Sequence, residues 1–226
     1  MIENLVILPV LLFSVVLHEL AHGWMALKLG DTTARDRGRL TLNPVPHIDL
    51  FGSILIPLMS LAAVGSVFIA WAKPVPVNPA NFSNARRDNV LVSVVGPVTN
   101  LLISFGCTLV VIVLVLLGRT FSTGDHSLLP QVLDFLQRMF YGGIFLNIVL
   151  AVFNLIPVPP LDGSHVLAAM LPAGLAARFQ SIGFLGVFAL IALMRVPAFS
   201  EAFGAIAGAL FAPFRAMLGF FLTPSL

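Results

Sequence analysis

The chain has 226 residues, of which 58% are hydrophobic and 10% charged, with a formal net charge of +2. So few charges cannot clothe a water-facing surface, which excludes an ordinary soluble globule. The small net charge, with no basic tract or aromatic platform, excludes a nucleic-acid partner. A mean hydropathy of +1.02 points to the bilayer as solvent. A bilayer demands helices or closed barrels, and apolar runs that are long and unbroken predict helices. The expected fold is an all-α polytopic membrane protein of about five to six transmembrane helices, with a short extended or re-entrant segment.

The first apolar run covers residues 5–29 and is closed by Gly30-Asp31. Its first charge is Glu3, so it lacks the positive start of a cleavable signal peptide. A polar stretch with Arg35, Arg37 and Arg39 follows, then a second apolar run over 50–71 containing Gly52, Pro57 and Gly65. Residues 72–79 carry Pro74, Pro76 and Pro79, which forbid helix and favour an extended path. Long runs over 89–117 and 133–154 precede a second proline-rich stretch, 156–162, and two further apolar runs cover 176–194 and 203–222. No repeat or low-complexity linker interrupts the chain. It reads as one membrane domain, 1–226, with a core over about 5–170 and C-terminal helices over about 175–222. The single cysteine, Cys107, lies inside an apolar run and reads as buried filler.

The chemistry is concentrated in the first run, where His18-Glu19-Leu20-Ala21-His22 reads His-Glu-x-x-His. Positions i and i+4 of a helix share a face, so two imidazoles there can hold one zinc ion at about 2.0–2.1 Å. Glu19 is placed to take a proton from an activated water. Ionisable groups at membrane depth are costly and normally functional. A catalytic zinc site needs a third protein ligand. His47, His126 and His165 are the remaining histidines, and Asp49, Asp125, Asp134 and Asp162 follow transmembrane-length runs. Asp162 stands out, because the irregular backbone of the stretch before it is tolerated near a membrane only when buried or lining a wet cavity. Taken alone, that stretch is equally a proline-rich loop.

A membrane His-Glu-x-x-His followed far downstream by Asn154-x-x-Pro157-x-Pro159-x-Leu161-Asp162-Gly163 resembles the site-2 protease family of intramembrane zinc metalloproteases. Gly30-Asp31-x-x-Ala34, the run from Gly38 through Arg39 to Pro44, and His47-Ile48-Asp49 resemble the short bacterial and archaeal branch. Lys73-Pro74-Val75-Pro76-Val77-Asn78-Pro79 and Gly96-Pro97-x-x-Asn100 do so as well. The resemblance covers residues 5–170. It implies one zinc ion per chain on His18, His22 and Asp162, Glu19 as general base, and Asn154 as a contact to the substrate backbone. It departs at Gly163, where Ser164-His165 stands in place of a second glycine; Ser164 is expected to cap the next helix. It also implies a minimal member without PDZ-like or CBS-like domains.

The expected activity is regulated intramembrane proteolysis: hydrolysis of peptide bonds of a membrane-protein substrate within or beside the bilayer. A multi-pass place in a prokaryotic cell (inner) membrane goes with it. The substrate helix must unwind, and residues 73–79 or 39–43 offer an edge for it by strand addition. A membrane metal-ion carrier using the His/Asp cluster is the alternative, as is an inactive binding homologue. Asn100 and Asn147 are expected to hydrogen-bond between helices, Gly96 and Pro97 to permit close packing or a kink. His47 is expected to be structural or interfacial, His165 unliganded and His126 solvated. His22 and Asp162 must meet one ion from the C-terminal ends of two helices, which predicts that the 50–71 run is re-entrant. Cationic flanks on both sides of it place them in the cytoplasm.

Overall fold

The computed structural model describes residues 6–55, 59, 72–120 and 128–222. Every regular element among them is helical. In chain order these are α1 (Leu8–Lys28), α2 (Thr33–Asp36), α3 (Ala85–Thr120), α4 (Leu128–Asn154), α5 (Asp162–Met170), α6 (Ala173–Gln180), α7 (Gly186–Met194) and α8 (Pro197–Leu222). Short 3-10 turns cover Val45–His47, Pro79–Asn81 and Gly183–Leu185, and a π turn covers Leu50–Leu55. Among the described residues four helices, α1, α3, α4 and α8, are long and apolar enough to cross a membrane, and a fifth span results if the bent run through α6 and α7 counts as one. This is an all-α polytopic membrane protein. The re-entrant run expected over 50–71 lies, apart from residues 50–55 and 59, outside the described residues.

The helices end where local chemistry ends them. Lys28 supplies a cation to the negative end of the α1 dipole, and Gly30 then turns the chain at φ 104°. The long α3 opens on a reciprocal cap. The Asn84 side chain accepts from the Arg87 N–H at 3.1 Å, and the Asp88 carboxylate accepts from the Asn84 N–H at 3.0 Å. Pro97 sits inside α3 and deprives the Ser93 carbonyl of its helical donor. The 176–194 run is not one helix: α6 and the segment after it meet at 69°, with Gly183 at φ 51°.

By its internal contacts the chain divides into two compact units, one of residues 12–96 and one of residues 1–11 with 97–226. The second holds a core of Val10, Cys107, Val111, Ile144, Ile148 and Val152, with Ala207 and Leu218 from α8. In lipid no hydrophobic effect drives helices together, so polar bonds between them count, at about 0.6–2 kcal/mol each. Here Ser104 on α3 donates to the Ile144 carbonyl on α4 at 2.9 Å. Asn147 does not make the interhelical bond expected of it; its amide donates to the Gly143 carbonyl of its own helix at 2.9 Å. Cys107 is buried, as its surroundings in the sequence imply. The first unit has a smaller core of Ala26, Phe82 and Val92.

Candidate metal centre

Within unit 12–96, α1 carries His18 and His22 one turn apart, both buried. Their Nε2 atoms lie 3.0 Å apart, with the rings edge to face at 83°. The His22 Nδ1 is 2.6 Å from the Val92 carbonyl. A carbonyl only accepts, so Nδ1 carries the proton and Nε2 presents its lone pair. This is the arrangement that fixes the tautomer of a metal-ligating histidine. Two ligands of a tetrahedral zinc are about 3.3 Å apart for Zn–N bonds of about 2.0–2.1 Å. The pair therefore fits a zinc ion in donor type, tautomer and spacing.

Glu19, next to the first imidazole, is half-buried, and its Oε2 accepts from the Val75 N–H at 2.7 Å. Val75 belongs to the proline-rich segment, which is irregular and non-helical over 72–78, as expected. Its backbone groups go to side chains and loops rather than into a ladder. Lys73 N–H donates to the His47 carbonyl at 2.8 Å. Arg39 donates to the Lys73 and Pro74 carbonyls at 2.7 and 3.3 Å, and Asn78 N–H donates to Asp31 at 2.7 Å. Buried His47 sets its Nε2 3.1 Å from the Thr41 carbonyl, a structural tie of the kind expected of it. The 39–43 stretch is irregular as well.

Asp31 is fully buried and collects four donors: the Thr33 N–H and hydroxyl at 3.1 and 2.5 Å, and the Asn78 N–H and Asn81 amide at 2.7 Å each. Burial alone pushes its carboxyl up, but these hydrogen bonds outweigh it and hold the group below its ordinary 3.8. A carboxyl with a lowered folded-state pKa contributes stability that is fully present above the unfolded value and is lost as pH falls through the folded one. Asp31→Asn should therefore destabilise the detergent-solubilised protein at neutral pH by on the order of 3 kcal/mol, read as a lowered thermal midpoint. The difference from the wild type should shrink as pH falls below the ordinary value. A difference that is the same at all pH values would show that the charge is not what clamps the segment.

The other unit holds the downstream motif. Asn154 is the last residue of α4, half-buried, and its amide donates to the Leu150 carbonyl at 3.0 Å. Asp162 is the first residue of α5, closer to a helix start than the loop position expected. A Cβ on Gly163 would lie 2.2 Å from the Leu155 carbonyl oxygen and 2.7 Å from that of Ile156. Both are backbone atoms that cannot yield, so only glycine lets the start of α5 rest on the end of α4. Ser164 does not cap: the N-cap is Leu161, without a side-chain bond. The buried Ser164 hydroxyl instead receives the Gln180 amide at 3.4 Å. His165 is half-buried one step further along α5, and Asn100 is buried on α3. Asp125 and His126 lie outside the described residues.

Comparison with known proteins follows the same pattern. Residues 6–194 match Peptidase family M50. The chain is 41% identical over 182 residues to YwhC of Bacillus subtilis (strain 168), provisionally named a zinc metalloprotease, covering 77% of this chain and 74% of that one. It is 31% identical over 156 residues to Rip2 of Mycolicibacterium smegmatis, likewise provisionally named a zinc metalloprotease, covering 67% of this chain. Rip2 of Mycobacterium tuberculosis, with the same name, is 32% identical over 154 residues. The chain spans about half the length of the Rip2 proteins, 52% in each case. No solved structure matches it.

Proposed function

Because the chain belongs to Peptidase family M50, the site-2 protease family, we propose that it hydrolyses peptide bonds of membrane-protein substrates within or beside the bilayer, as a zinc metalloendopeptidase in regulated proteolysis. The observation that carries this reading is the His18–His22 pair, its Nε2 atoms 3.0 Å apart, in a helix apolar enough to cross a membrane that also carries Glu19. His18, His22 and Asp162 would hold zinc, one ion per chain. That ion supplies Lewis acidity, polarising a carbonyl and lowering the pKa of water toward about 7.

The chain's own residues do the rest. The Val75 N–H holds one oxygen of Glu19, which leaves the other to take a proton from the attacking water and deliver it to the leaving amine. Asn154 uses its amide oxygen, and its amide nitrogen once released from Leu150, to pair with the substrate backbone. A substrate helix must unwind first, since its carbonyls are already hydrogen-bonded. A prokaryotic cell membrane and a multi-pass topology go with this reading.

A metal-ion carrier would share the imidazoles but has no use for a carboxylate beside the first of them. The deciding experiment is cleavage of a tagged candidate membrane protein by the purified chain in proteoliposomes, with and without a zinc chelator. Cleavage that the chelator does not touch would end the metalloprotease reading, and zinc flux without cleavage would establish the carrier. Asn154→Ala is expected to keep its zinc while turnover or substrate capture falls about 10-fold, the size of one or two lost hydrogen bonds. Zinc loss in that variant would make Asn154 a support of the metal site instead.

A further inference from the structure

We infer that Gly96 is a positioning residue for the metal centre: its missing side chain is the space in which the metal-facing edges of His18 and His22 lie. The inference rests on the reading of these histidines as zinc ligands. A Cβ at position 96 would sit 2.5 Å from His22 Nε2, 2.6 Å from His22 Cε1 and 2.6 Å from His18 Cε1. Real Cβ atoms do not approach so closely, so a methyl group there must displace one or both rings. The displaced atoms include the nitrogen that presents its lone pair.

The same turn of α3 supplies the other half of the device. Val92 lies four residues before Gly96, so its carbonyl is the helical acceptor of the Gly96 N–H. The carbonyl oxygen has a second lone pair, and His22 Nδ1 takes it at 2.6 Å. Gly96 thus leaves open the approach through which the imidazole reaches Val92, and the Val92 bond fixes which nitrogen of that imidazole faces the metal. One helical turn both orients the ring and makes room for it.

Other reasons for a glycine here are weaker. Mid-helix glycine costs about 1 kcal/mol relative to alanine, so helix formation argues against it. Close approach of two helices would put backbone atoms nearest the virtual Cβ, yet all three nearest atoms belong to the imidazole rings. Gly106 on the same helix is the contrast, because a Cβ there meets nothing within 4 Å.

The test uses Gly96→Ala and Gly106→Ala in the full chain, purified in detergent. Three quantities are read: zinc retained against chelators of graded strength, the visible spectrum of the cobalt-substituted protein, and thermal unfolding of the metal-free protein. Gly106→Ala should match the wild type in the first two. Gly96→Ala should bind zinc at least about 10-fold more weakly, the loss typical when a ligand's support is removed, with an altered cobalt spectrum. Its metal-free form should still fold and unfold cooperatively, with at most the modest loss of midpoint that displacing buried rings brings. Unchanged zinc affinity and an unchanged cobalt spectrum in Gly96→Ala would overturn the inference. So would a metal-free Gly96→Ala protein that does not fold, since Gly96 would then serve the fold rather than the rings. A wild-type chain that binds no zinc would instead remove the metal-centre reading itself.

Discussion

Glu19→Gln is expected to abolish proteolysis while leaving zinc bound. The substitution exchanges a carboxylate oxygen for an amide of the same shape. The retained oxygen of glutamine can still accept the Val75 N–H that holds Glu19 at 2.7 Å, so the side chain keeps its place. Neither imidazole is touched, and the His22–Val92 bond is independent of it. What disappears is the ability to take a proton. General-base catalysis is worth roughly 10²–10⁴-fold, and a loss at the upper end is expected because the same group also protonates the leaving amine. Normal cleavage by the variant would exclude Glu19 as the base. Loss of zinc together with activity would make it a support of the metal.

Much of this site was readable in the residues and much was not, and the division has a physical cause. The i, i+4 spacing of His18 and His22 depends only on helix geometry, and an unbroken apolar run announces the helix; the two Nε2 atoms do converge. The same signal located α1 and α3 to within about four residues at each end, and found the C-terminal ends of α4 and α8 while starting them five and six residues late. The partners that make the pair usable are backbone groups of distant segments: the Val92 carbonyl lies 70 residues from His22 and the Val75 N–H 56 from Glu19. Every residue but proline has both such groups, so almost no residue type marks them. Arg39 and Asp31 stood inside recognised motifs without a role, because what they hold is again main chain. Prolines foretold that 72–78 would not be helical, but not that side chains would replace a ladder. The break at Gly183 was hidden by hydropathy, since helices on both sides of a bend are equally apolar. Ser104 went unnoticed because a serine in an apolar helix gives no sign of reaching Ile144.

Asp162→Ala is the second change expected to remove nearly all activity, and unlike Glu19→Gln it should remove the metal too. A catalytic zinc keeps three protein ligands and one open position, so two imidazoles alone are an incomplete set. Removing even an outer support costs 10–100-fold in affinity, so loss of a direct ligand should exceed about 100-fold. Asp162 is a suitable third ligand in its own unit, since it opens α5 and the close seat of Gly163 on the Leu155 and Ile156 carbonyls fixes that helix start. Two of the other acids after apolar runs have different work. Asp49 accepts from the Phe51 and Gly52 N–H groups at 3.1 and 2.7 Å, and Asp134 pairs with Arg138 at 2.9 Å on an exposed helix face. Asp49→Ala and Asp134→Ala should therefore retain zinc, as should His165→Ala. Metal content of the purified variants, measured at equal protein concentration after dialysis, separates these outcomes. If Asp162→Ala keeps its zinc while His165→Ala loses it, the third ligand is the histidine three positions along. The start of α5 would then have to present its fourth residue, not its first, to the metal.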